Sequence, residues 1–256
     1  MTKKITAFLL SILTVTFFLA GCQKKSAETT GQHVLRVGTE GTYAPFSYHN
    51  DQGELTGYDV DVARAVAKKI GYDIEFVEAP WDAMLAAFDS GKSDVIFNQA
   101  GITPEREQKY LFSTPYAISH PVLIIHKDNH SITGFSDVRG KVLAQTLMSN
   151  YVERAEELGA TVTGTDGFSK TVQLVSEKRA DGTLNDDIAL YDYLKQKPDA
   201  PVKIVSVADD AVKSGAMLHK KDRDLHKKID QAIQELLADG TLAKLSDTYF
   251  NKDISK

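Results

Sequence analysis

Twice along this chain a short strand runs into an amphipathic helix that stops near a glycine, and each time the unit repeats at once. Residues 34–37 read as a strand leading into the loop 38–41, which Gly38 and Gly41 bound. In "GYDVDVARAVAKKIG", Val60, Ala63, Val66 and Ala67 share one helical face and Gly71 marks the stop. "YDIEFVE" alternates Tyr72, Ile74 and Phe76 against Asp73 and Glu75, "WDAMLAAFDSG" reads as a helix ending at Gly91, and "DVIFN" as a strand. From Lys141 the pattern restarts with "KVLAQT", "SNYVERAEELGA", "TVTGTD", "SKTVQLVSEKRA", "DGTLND", "DIALYDYLKQKP" and "VKIVSV". Such alternation predicts α/β layers with largely parallel sheets, and the restart predicts two lobes. Ligands of such sheets sit in the loops after the carboxyl ends of the strands.

Two extended segments, 120–128 and 214–222, are expected to cross between the lobes. The last helices, with Leu225, Ile229, Ile233 and Leu236 on one stripe, should return to the first lobe. The expected division is 34–121 with 219–256 as lobe 1 and 122–218 with the hinge strands as lobe 2. A chain crossed twice at one waist closes like a hinge.

The start of the chain has a different character. Lys3 and Lys4 precede an apolar run over 5–20 that ends in "LAGC", with the chain's single cysteine at Cys22. That run is short for a membrane span of roughly 20 residues. It resembles a bacterial lipoprotein signal, which implies cleavage after residue 21, acylation of Cys22 and lasting attachment to an extracytoplasmic membrane surface. Residues 22–33 are polar and aperiodic, as in a flexible tether. A net charge of -5 argues against a nucleic-acid partner. One cysteine and seven histidines without paired ligand spacing predict no structural metal.

In "NQAGITPERE", Thr103 and Pro104 read as the cap and first residue of a helix, which puts Arg106 in its first turn. The helix dipole is positive there, so a cation is disfavoured without an anion close by. "GTEGTYAPFSYHNDQGELTGYDVDVARAVAKKIG", "SDVIFNQAGITPEREQKYLFSTPY" and "ELLADGTLAKLSDTYF", in that order, resemble a family 3 extracellular solute-binding protein of a bacterial ABC importer, in the group that takes polar amino acids. The resemblance implies a two-lobed, type II periplasmic-binding fold without cofactor and without catalysis. It also implies a monomer whose partners are a free amino acid, a transporter permease and, through it, the ATPase.

The resemblance gives Arg106 the α-carboxylate of the ligand, a role that suits a planar guanidinium beside free helix N–H groups. It gives Asp186 the α-ammonium, although Asp186 or Asp187 could instead cap the helix that follows. Tyr43 and Trp81 sit in loops after strands, where aromatic rings can flank a ligand. Asn98, Gln99 and Gly101 follow a strand, and the Gly101 N–H could reach a carboxylate oxygen. Ser149, Asn150 and Tyr151 stand at a helix start, where Ser149 could both cap and donate. The pairing of "NQAGITPER" with "SNY" most resembles the cystine-binding members, and amides such as Gln99 would then meet the ligand's far end. Cysteine and glutamine stay open as ligands. Glu40 near the cleft keeps a cyclohexadienyl dehydratase in view, though a lone glutamate in such a loop is more often a hydrogen-bonding or surface residue. An adhesin or signalling receptor that borrows the fold is a third possibility.

Overall fold

The computed structural model describes residues 33–256, so the leader, Cys22 and most of the tether lie outside the described residues. One five-stranded sheet runs in the order Asp73–Glu78, Val34–Thr39, Val95–Ile96, Met217–His219, Tyr110–Phe112. The other runs Thr161–Thr165, Val142–Thr146, Gly182–Asp186, Pro121–His126, Val202–Val207. Helices pack on both, and Tyr58–Ile70 is closed as its sequence predicts, by Gly71 at φ 74°. The result is a two-lobed α/β architecture joined by two crossing strands.

The crossing lies earlier in sequence than 120–128 and 214–222. Ala117–Ser119 pairs antiparallel with Val212–Ser214 in a separate two-stranded waist. Pro121–His126 is an inner strand of the second sheet, with every residue buried. Met217–His219 is an inner strand of the first. These two strands also qualify the expectation of largely parallel sheets. Each is the first strand the chain lays down after crossing, enters from the waist, and therefore runs opposite to both of its neighbours.

This topology sets where a ligand can sit. Asp186, at the carboxyl end of its strand, pairs with Pro121, the first residue in from the waist. Ile96, at the end of its strand, pairs with Met217 in the same way. The carboxyl ends of the parallel strands in both sheets thus face the waist, and their loops meet across the cleft between the lobes.

Candidate functional site

Eight of the ten residues picked from sequence line that cleft. Tyr43, Trp81, Asn98 and Gln99 come from the first lobe; Ser149, Asn150, Tyr151 and Asp186 come from the second. Gly101 and Arg106 stand beside it.

Asp186 is 6% exposed, and hydroxyl groups surround its carboxylate. Oδ1 accepts from Tyr151 Oη at 2.8 Å and from Ser119 Oγ, while Tyr43 Oη lies 3.1 Å from Oδ2 and 2.7 Å from Asn185 Oδ1. Burial pushes the Asp186 carboxyl above its ordinary range, and the three hydroxyls pull it back. Although Asp186 occupies the cap position of the helix Asp187–Gln196, its side chain makes no cap bond and faces the cleft instead. Asp187 turns the other way: its Oδ1 accepts from the His120 N–H at 3.1 Å and its Oδ2 lies 3.9 Å from Lys252 Nζ.

The cap expected at Thr103 is present, with Oγ1 accepting the Arg106 N–H at 3.2 Å and Pro104 opening the helix Pro104–Lys109. The Arg106 side chain folds over the Trp81 ring, 5.2 Å from its centroid. Nη1 donates to Gly101 O and Nη2 to Met148 O, each at 3.0 Å. Burial lowers the Arg106 pKa, which Glu105 partly offsets. No carboxylate lies within ion-pair distance of this guanidinium among the described residues. Arg106 lines a groove next to the cleft, which shares Ser149 and Asn150 with it, and the two backbone carbonyls hold its guanidinium there.

Gly101 bridges Ser214 of the waist through the flanking bonds Ile102 N to Lys213 O and Gly215 N to Ala100 O. In such a pair the glycine's own N–H and C=O point away from the partner strand, which is why its carbonyl can meet Arg106. A Cβ at this position would meet Val212 Cγ1 at 3.2 Å and Asn150 Oδ1 at 3.5 Å, so glycine lets the second lobe approach. Ser149 caps the helix Asn150–Glu157 by accepting the Tyr151 N–H at 3.2 Å.

Gln99 departs from expectation. Its side chain does not reach for a ligand, because its Nε2 donates to Asp59 Oδ1 at 2.7 Å and its N–H to Asp59 Oδ2 at 2.6 Å. Those two bonds hold Gln99 at φ 48°, an unusual angle for a residue with a side chain. Glu40 takes the hydrogen-bonding one of the two places expected for it. Partly buried, it lines the cleft and accepts from Asn98 Nδ2 at 2.7 Å. Burial pushes its carboxyl up to about 7; Asn98 and the Trp81 backbone oppose this, and Asp166 and Asp82 add to it. Thr146, Phe168 and Asn185 complete the lining, and sequence reasoning passed over them. The strand-end positions of Thr146 and Asn185 were the available signal.

Across the cleft, among the described residues, Tyr43 Oη shares its proton between Asn185 and Asp186, and Arg106 Nη2 and Trp81 Nε1 both donate to Met148 O, the latter at 3.2 Å. The lobes are closed on each other.

Residues 35–252 match the family of bacterial extracellular solute-binding proteins, family 3. The L-cystine-binding protein TcyA of Bacillus subtilis is 42% identical over 224 residues, covering 87% of this chain and 83% of its own. The unliganded open conformation of the L-cystine solute receptor of Neisseria gonorrhoeae is 47% identical over 88% of this chain and 96% of its own, with a TM-score of 0.58. An ancestral arginine-binding protein bound to glutamine is only 34% identical, over 86% and 99%, yet superposes with a TM-score of 0.81. Lower identity with the better superposition follows when lobes keep their folds and differ in mutual orientation. Among the described residues no helix is long and apolar enough to cross a membrane. The chain belongs to family 3 of the bacterial extracellular solute-binding proteins, with the type II periplasmic-binding-protein fold.

Proposed function

We propose that this protein captures a free polar amino acid, L-cystine before others, outside the cytoplasm and passes it unchanged to the permease of an ABC transporter. One observation carries the reading. Two desolvated groups of opposite kind, Arg106 and Asp186, come from opposite lobes, and neither has a counter-ion among the described residues. An amino-acid zwitterion supplies both missing charges. Its carboxylate, a stronger acceptor than a neutral carbonyl, would take Arg106 Nη2 from Met148 O, with the Gly101 N–H and Ser149 beside it. Its ammonium would join the oxygens of Asp186. Tyr43 and Trp81 would flank it, with Asn98, Asn150 and Tyr151 as polar neighbours and Gln99 acting through its turn.

The names borne by the cystine-binding relatives support cystine over cysteine or glutamine. The same reading takes 34–121 with 219–256 as one lobe and 122–218 as the other, save that Pro121 goes with the second sheet and Met217 and Leu218 with the first, lipid at Cys22 as the anchor, and a monomer as the working unit. Mass spectrometry of ligand retained through purification, then calorimetry against cystine, cysteine and glutamine, tests it. Cystine is expected to bind tightest; no heat with any amino acid would end the proposal. Glu40, pushed up to about 7, is the observation that favours an acid–base enzyme. Prephenate and arogenate incubated with the protein are expected to come back unaltered, and conversion of either would favour the dehydratase.

A further inference from the structure

Asn251, at φ 52°, closes the last helix, Thr241–Phe250, and turns the chain back toward the waist. Ile254 is 3% exposed and belongs to the apolar cluster that also takes in Val122 and Ile124 of the second sheet. The turn is tied internally, with Ile254 N–H donating to Ser246 Oγ at 2.7 Å and that hydroxyl donating to Lys252 O at 2.8 Å. The Ile254 carbonyl then accepts the N–H of Ile118 at 2.7 Å. Ile118 is the middle residue of the first crossing strand, whose other edge pairs with Val212–Ser214. The waist is thus held on both edges. Lys252 Nζ, from the same turn, lies 3.9 Å from Asp187 Oδ2.

We propose that Ile254 and Lys252 are positioning residues of the binding site, holding from behind the two short stretches that carry Asp186 and the Ser119 hydroxyl that donates to it. Ser119 follows Ile118, and its hydroxyl donates to Asp186 Oδ1. Asp186 precedes Asp187, whose N–H donates to His120 O at 2.9 Å and whose side chain meets both the His120 N–H and Lys252. The turn therefore touches the neighbour of Asp186 and the neighbour of its hydroxyl partner Ser119 without touching the cleft. A hinge works by letting a few residues absorb changes in φ and ψ. Pinning Ile118 to a buried carbonyl limits how far the strand can rotate, and so fixes where Ser119 aims its hydroxyl. Lys252 contributes less, because its side chain is half exposed and its ion pair is long.

The inference rests on the reading that Asp186 receives the ligand's ammonium, so its test includes a readout that needs no ligand. Ile254→Ala is expected to speed hydrogen exchange at the Ile118 and Ser119 amides at least tenfold relative to the parent. It should weaken cystine binding by about the same factor, while the unliganded protein still unfolds cooperatively. Lys252→Met, a surface change that leaves the fold intact, should weaken binding two- to fivefold, and Lys252→Arg should restore it. Unchanged exchange at Ile118 in Ile254→Ala overturns the proposal. So does parental affinity in both Ile254→Ala and Lys252→Met. A parent that binds no amino acid would remove the transport reading, and the exchange comparison would still decide whether the turn holds the waist.

Discussion

Arg106 is the residue whose environment is least balanced. A guanidinium that donates only to carbonyl oxygens in a desolvated setting has given up hydration for neutral partners, and a carboxylate improves on both. Arg106→Ala should therefore lower amino-acid affinity about a hundredfold, a few kcal/mol, with the fold intact by circular dichroism. Arg106→Lys should recover little, because an ammonium has no planar fork. Parental affinity for the alanine variant in calorimetry would show that the arginine is structural. Glu40 gives a second prediction. Its folded carboxyl titrates at about 7 against an ordinary 4.5, so between those values the folded protein holds a proton that the unfolded chain has lost. The resulting stability is complete below the unfolded value and disappears as pH rises through 7, a change of roughly 3 kcal/mol if the cleft stays shut. Thermal midpoints of the unliganded protein should fall from pH 5 to pH 8, and Glu40→Gln should flatten that slope. Asp59, also raised to about 7 by burial, leaves part of the slope in place. An identical slope in Glu40→Gln would show that Glu40 is hydrated in solution. Residues 103–106 could be read in advance because cap, proline and arginine are neighbours in the chain. Glu40 and Gln99 could not: their partners, Asn98 and Asp59, lie 58 and 40 residues away.

At the scale of elements, alternation and glycine stops were enough to give most strands and helices of both lobes, because those patterns are local; Tyr110–Phe112, a three-residue edge strand, is too short to show one. The crossings were not local. A fully buried run such as 121–126 has the same periodicity whether it spans a waist or fills the inside of a sheet, and only its pairing with Gly182–Asp186 and Val202–Val207 distinguishes the two. The loop after Val142–Thr146 was likewise opaque. Leu147 and Met148 are half exposed, Met148 sits at φ 42°, and its carbonyl is the acceptor for both Trp81 Nε1 and Arg106 Nη2. A backbone oxygen has no signature in sequence, yet this one links the second lobe to the first at two points. Trp81→Phe keeps the ring under Arg106 and removes one of those donors, at a cost of about 1 kcal/mol to the closed arrangement. The unliganded variant should scatter X-rays as a larger particle than the unliganded parent and bind ligand only a few times more weakly. Equal radii of gyration would mean that the indole bond does not contribute to closure.

For the whole molecule, attachment and closure separate cleanly. If Cys22 is acylated, Cys22→Ser should move the protein from the membrane fraction to the soluble one with unchanged affinity, because every residue proposed to bind ligand comes later in the chain, from Tyr43 to Asp186; a variant still in the membrane would point to an uncleaved span. Closure depends on the charges. Arg106 and Asp186 belong to different lobes, so a single zwitterion can neutralise both only when the lobes meet around it. The ligand then has contacts in the closed state that the open state lacks, and this differential affinity is what shifts a two-state population. The lobe-crossing hydrogen bonds are few: Tyr43 Oη divides its one proton between Asn185 and Asp186, and Trp81 shares the Met148 carbonyl with Arg106, so they hold the closed form only weakly. Unliganded protein should therefore populate wider forms than this structure, and saturating cystine should contract the radius of gyration, change Trp81 fluorescence and raise the unfolding midpoint in step with ligand concentration. Asp186→Asn keeps an acceptor for the hydroxyls of Ser119 and Tyr151, turns an amide donor toward Tyr43 Oη in place of the second oxygen, and cannot balance an ammonium. It should bind at least tenfold more weakly and contract less at equal occupancy. Scattering curves that superimpose with and without saturating ligand would replace the clamp with a rigid pocket, even if binding itself were tight.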